Sequence, residues 1–76
     1  MDNVFKDVST EIDRQDHIWG KERHLGYKWN TILMEEVGEF SQAILQGDIV
    51  HAREEIIQIA AVAMQIANAI DQERAT

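Results

Sequence analysis

The architecture of this chain turns on residues 32–59, ILMEEVGEFSQAILQGDIVHAREEIIQI. Apolar residues recur through it at three- and four-residue spacing, the mark of an amphipathic helix. The pattern breaks once, at Gln46-Gly47-Asp48. Glycine suits the position just past a helix end, and aspartate suits the cap of the next helix. So short a turn folds two helices back on each other as an antiparallel hairpin. Extended outward, the pattern gives a second helix from about Lys28 to Gln46 and a third ending near Glu73. A first helix is expected from about Asn3 to His17, capped by Asp2 or Asn3. Its apolar stripe is Val4, Phe5, Val8 and Ile12, and projected onward it meets Gln15, Asp16 and Trp19. Residues 20–27, GKERHLGY, carry two glycines and no sustained period, and read as a loop. The expected protomer is all-α, with three helices in a single domain over residues 1–76.

Composition narrows the function. The 76 residues contain neither proline nor cysteine, so a disulfide framework and a thiolate metal site are both excluded. A chain this short sits near the lower limit for a self-sufficient core, and oligomerisation or a metal is the usual supplement. Helix three adds to that argument. Its polar stripe is Glu54, Gln58, Gln65, Asn68 and Gln72, and most of the remainder is Ile, Ala, Val or Met. So apolar a helix needs neighbours on most sides, which a homodimer with a four-helix-bundle core supplies. Fourteen acidic against seven basic residues give a net charge of −7, which disfavours nucleic acid and anionic membrane as partners. The run Ile56 to Ile70 is too short and too polar to span a bilayer, and no leader pattern is present, so a cytoplasmic location is expected.

Two acidic clusters stand out, Glu35-Glu36-x-x-Glu39 and Glu54-Glu55-x-x-Gln58. On a helical wheel, Trp29, Ile32, Phe40 and Ala43 fall within about 40° of Glu36, placing that carboxylate amid apolar side chains. Glu39 lies about 60° off, at the edge of the arc, and Glu35 about 100° away toward solvent. On helix three, Glu55 shares a face with Ile59, Val62 and Ile66, Gln58 sits about 60° aside, and Glu54 belongs to the polar stripe. A carboxylate among apolar groups costs several kcal/mol unless a cation or a proton offsets it. Glu36 and Glu39 lie 11 and 8 residues before Gly47; Glu55 and Gln58 lie 8 and 11 after it. Antiparallel packing therefore sets the two pairs at one height, about 12 to 17 Å from the turn. An oxygen-only set suits Mg²⁺, with Mn²⁺ the alternative, and bundles build such sites from inward carboxylates.

These residues resemble the MazG-like, all-α nucleoside triphosphate pyrophosphohydrolases. That family pairs Glu-x-x-Glu on one helix with Glu-x-x-Asp on the next. Here the two motifs read Glu36-Val37-Gly38-Glu39 and Glu55-Ile56-Ile57-Gln58. The lead-in Arg14-Gln15-Asp16-His17-Ile18-Trp19-Gly20 and the run Ile32 to Glu39 look like small phage-type and mobile-element members. The likeness extends from about Val8 to about Ile70, and departs from the family at Gln58, where an amide replaces a carboxylate. It implies Mg²⁺-dependent hydrolysis of a (deoxy)nucleoside triphosphate to the monophosphate and pyrophosphate, as in nucleotide-pool house-cleaning, by a dimer or dimer of dimers. Glu36, Glu39 and Glu55 would hold the metal, with Gln58 a weaker fourth donor. Glu35 or one of the site carboxylates would accept the proton of the attacking water.

Substrate contacts are expected from the region between helices one and two. Lys21, Arg23 and Lys28 are candidates for the phosphates; ordinary solvated loop charge is the competing reading. Trp19 stacks on the base or closes the core, and Gln15 is placed to bond the base edge. Trp29 reads as core or site wall. His17, His24 and His51 have no ligand spacing to one another and read as surface. Met34 and Met64 read as packing residues. Cleavage of phosphoribosyl-ATP or another pyrophosphate would use the same acids. A reading from a different class is a non-enzymatic dimeric helical module with a vestigial metal site.

Overall fold

A computed structural model of the chain describes residues 1–19 and 27–75, with the side chains of Trp19, Tyr27 and Ala75 outside that description. Three helices account for nearly all of it: α1 Asp2–Trp19, α2 Tyr27–Leu45 and α3 Ile49–Ala75. All described secondary structure is helical, as expected, and no helix is long and apolar enough to cross a membrane. The first helix runs two residues further than expected, to Trp19. Its start also differs: the Phe5 amide donates to the Met1 carbonyl at 3.0 Å, so Met1 stands where Asp2 or Asn3 was expected to cap.

The α2–α3 turn forms as its residues require. The Asp48 amide donates to the Ala43 carbonyl at 2.9 Å and the Gly47 amide to that of Ile44 at 3.1 Å. This double closure needs a left-handed residue at Gly47, whose φ is 72°. Asp48 then caps α3, its Oδ1 accepting from the His51 amide at 3.0 Å. A Cβ at Gly47 would meet no atom within 4 Å, so only backbone strain opposes substitution. Gly47→Ala is expected to lower stability by about 1 kcal/mol, read as a fall in urea midpoint at unchanged slope.

The third helix is the centre of the protomer. Both α1 and α2 pack along it, while the backbones of α1 and α2 do not approach each other. Arg53 of α3 pairs with Asp7 of α1 at 2.9 Å, and further along Gln65 meets Gln15, so α1 runs parallel to α3. The hairpin makes α2 antiparallel to it. The core is thin: Val8, Trp29, Ala43, Ala52, Ala61, Val62 and Ala69 are its buried apolar members.

Several side chains lie otherwise than the wheel suggested. Met34 and Met64 are both 57% exposed, and Val4 and Phe5 are exposed too. Gln65, assigned above to the polar stripe, is buried. It points at α1, whose approach turns part of that stripe into an interior surface. Because α1 and α2 rest on different sides of α3, the described residues leave a cleft between them whose floor is α3.

Candidate functional site

Four carboxylates and one guanidinium converge on this cleft. From α1 come Glu11 and Arg14, from α2 Glu36 and Glu39, and from α3 Glu55, the last with only 4% of its surface exposed. Glu36 is half-buried. Burial pushes its carboxyl up to about 7, and the neighbouring charges of Glu55, Glu11 and Glu39 add to the effect, while Arg14 opposes it. Burial also raises Glu55, followed by the charge of Glu39, which lies within hydrogen-bonding reach of it. His51 stands 3.5 Å from Glu55 Oε1 and draws that pKa back down. Glu36 Oε2 and Glu55 Oε2 are buried with no hydrogen-bond partner among the described residues. Two buried carboxylate oxygens without hydrogen-bond partners, on facing helices, are a feature that a bound cation would relieve.

Glu55 interacts with Glu36 and with Glu39 pairwise, yet among the described residues no three His, Asp, Glu or Cys side chains form a metal-binding group. Like charges on neighbouring turns settle apart unless a cation or proton lies between them. The oxygen-only chemistry and the two orphaned oxygens fit Mg²⁺. Gln58 is half-buried on the same floor, its main-chain carbonyl accepting from Gln15 Nε2 at 3.4 Å.

Gln15 occupies a different place from the one expected. It is fully buried, its Nε2 donating to Glu11 at 3.0 Å and its Oε1 accepting from Gln65 Nε2. With its amide engaged inside the protein, Gln15 ties α1 to α3 and is not presented to a base edge. Glu35 is exposed, off the cleft side of α2, and Lys28 is exposed at the start of α2. Lys21 and Arg23, and the Trp19 side chain, lie outside the described residues.

Sequence reasoning gave no site role to Glu11 or Arg14, and it read His51 as surface, where the structure has it exposed. Arg14 grips Glu11 with two hydrogen bonds, at 2.8 and 2.6 Å, and holds the Glu11 carboxyl below the usual range. The i, i+3 and i, i+4 spacing of Glu11, Arg14 and Gln15 was the available signal. A depression of about 300 Å³ opens beside the cleft between α1 and α3, where Thr10, Glu11, Ile57 and Gln58 line it.

The raised carboxyls set a pH dependence in chelator. Glu36 binds its proton more tightly folded than unfolded, so the folded state holds more protons between pH 4.5 and about 7. Stability is therefore highest near the lower bound and falls as pH rises through the window, with Glu55 acting in the same direction. Glu11 acts oppositely, but below its ordinary range. The Glu36 contribution, discounted for solvent screening, is about 1–2 kcal/mol. Thermal midpoints measured in chelator from pH 5 to 8 should decline; a flat or rising profile would contradict the burial of these groups.

Comparison with protein-family models, with curated proteins and with solved structures gives no match for this chain.

Proposed function

We propose that this protein hydrolyses a nucleoside triphosphate to the monophosphate and pyrophosphate, using Mg²⁺ held in the cleft by Glu36, Glu39 and Glu55, with Gln58 as a weaker neutral donor. The observation that carries the reading is the pair of buried, unpartnered oxygens on Glu36 and Glu55. When bound, Mg²⁺ would supply the positive charge that lets so acidic a cleft accept a triphosphate. The residues do the rest. A water oxygen attacks the α-phosphorus, the bridging α–β P–O bond breaks, and pyrophosphate departs. The water's proton passes to a cleft carboxylate rather than to Glu35, which is exposed elsewhere on α2. Arg14, whose charge already reaches Glu36, is the described cation best placed to meet phosphate oxygens. Lys21, Arg23 and Lys28, clustered between helices one and two, are added as further candidates for the phosphates. Gln15 fixes the α1 wall of the cleft. The protein acts as a homodimer whose hairpins join in a four-helix core.

A panel of standard and modified nucleoside triphosphates, assayed for pyrophosphate release with Mg²⁺, tests the reaction. Turnover of at least one member, absent in chelator, is expected; no release from any member removes the enzyme reading. The alternative, a helical module with a vestigial metal site, is favoured by Gln58 and by the lack of a three-ligand group among the described residues.

A further inference from the structure

Hydrogen bonds run in an unbroken chain from the α1–α3 interior to the surface of α1. Gln65 of α3 donates to Gln15 Oε1, and Gln15 Nε2 donates to Glu11 Oε2 at 3.0 Å. Arg14 then donates to Glu11 through Nε at 2.8 Å and through Nη2 at 2.6 Å. Each step moves the same way round α1, by about 40° from Gln15 to Glu11 and about 60° from Glu11 to Arg14. Exposure rises along the chain: Gln15 is fully buried, the Glu11 side chain is 12% exposed and that of Arg14 51%. A solvated i, i+3 ion pair contributes little by itself. This pair differs, because its carboxylate is mostly buried and is held from behind by an amide that is itself fixed to α3.

The edge of Arg14 that Glu11 occupies is the side-on one, Nε with Nη2. The end-on edge, Nη1 with the second Nη2 proton, meets no acceptor among the described residues. A guanidinium presents five donors in one plane, so it can hold a carboxylate on one edge and a phosphate on another. Held in this way, the free edge is oriented before an anion arrives, and its ordering is not a cost of binding. The charge of Glu36 acts on Arg14, which sets this guanidinium beside the cleft acids.

We infer that Glu11 is a positioning residue, which aims the end-on edge of Arg14 at a phosphate group of the bound substrate. This rests on the phosphate contact assigned to Arg14 above and adds the group that orients it. Glu11 acts through the arginine, with Gln15 and Gln65 behind it. The sign of its effect separates this role from plain charge. A carboxylate beside an anion site repels phosphate, so by Coulomb's law alone its removal tightens binding. For a carboxylate that orients the arginine, removal weakens binding.

Calorimetric titration of the intact protein with inorganic pyrophosphate at fixed Mg²⁺ tests the inference, with Mg²⁺ alone titrated beforehand and helicity checked by circular dichroism. Glu11→Gln should weaken pyrophosphate binding roughly tenfold, the loss expected when a charge-assisted hydrogen bond is misaligned. Arg14→Lys, which keeps the charge and loses the fork, should do the same. The double variant should bind no worse than Arg14→Lys alone, because Glu11 acts only through the arginine. By NMR the Arg14 Nε–H should exchange slowly in the wild type and rapidly in Glu11→Gln. Tighter binding by a helical Glu11→Gln protein would overturn the inference. So would losses that add in the double variant, or an Arg14→Lys protein that binds as well as wild type. A wild type that binds Mg²⁺ but not pyrophosphate would overturn it too, while leaving the metal cleft standing. The expected pattern in a protein that turns over no nucleotide would uphold the role of Glu11 and remove the reaction.

Discussion

Glu36→Gln should raise the thermal midpoint of the metal-free protein and abolish its response to Mg²⁺. Both effects have one cause. Glu36 Oε2 and Glu55 Oε2 are buried without hydrogen-bond partners, and the two carboxylates repel each other across the α2–α3 interface. An amide of the same shape removes the charge, relieving about 1–2 kcal/mol near pH 8. For a chain of this length that is a rise of roughly 4–16 °C. Wild-type protein should instead gain from Mg²⁺, by about 2.7 kcal/mol at a hundredfold excess over the dissociation constant. The variant should gain nothing, and its pyrophosphate release should drop at least about a hundredfold. Glu55→Gln should follow the same pattern. A variant less stable than wild type in chelator would mean that these carboxylates are held by partners rather than strained against each other. Scanning calorimetry with chelator and with Mg²⁺ separates the two.

The second large effect concerns the join between α1 and α3. Gln15 is fully buried and Gln65 nearly so, and the two are hydrogen-bonded to each other. Glu11 and the Gln58 carbonyl take the two remaining Gln15 bonds, and the Ala61 carbonyl accepts from Gln65 at 3.4 Å. Gln65→Leu leaves Gln15 Oε1 in the interior without its donor, which costs about 1–3 kcal/mol. Gln15→Leu strands the amide of Gln65 and also releases Glu11. The double change to leucine removes both partners together, so it should be close to neutral and more stable than either single variant. The cycle is read by urea unfolding. Simple additivity, with the double variant worst, would show that the amides contribute independently of each other.

The hairpin was legible because its signals are local. Gly47 and Asp48 are fixed by backbone chemistry within one turn, and the mirror spacing of Glu36, Glu39, Glu55 and Gln58 about Gly47 follows from helix rise alone. The burial of Glu55 was readable from its wheel neighbours for the same reason. Gln65 was misplaced because the wheel reports which face a residue occupies, not what packs there. Once α1 is laid along α3, a polar edge becomes an interior surface, and Gln15 and Gln65 satisfy each other. Glu11 and Arg14 were passed over because they sit on the helix whose direction relative to α3 no local pattern specifies. Met34 and Met64 looked like packing residues because an apolar side chain on an apolar helix carries no mark of whether its neighbour belongs to the same chain.

The most direct measurement of the central claim is calorimetric titration of wild-type protein with Mg²⁺ near pH 8, repeated in buffers of different ionisation enthalpy. The cleft reading predicts saturable binding, with affinity that falls as pH drops below about 7 and with protons released on binding. No heat of binding at millimolar Mg²⁺, or binding that persists unchanged in the Glu36→Gln and Glu55→Gln proteins, would contradict it.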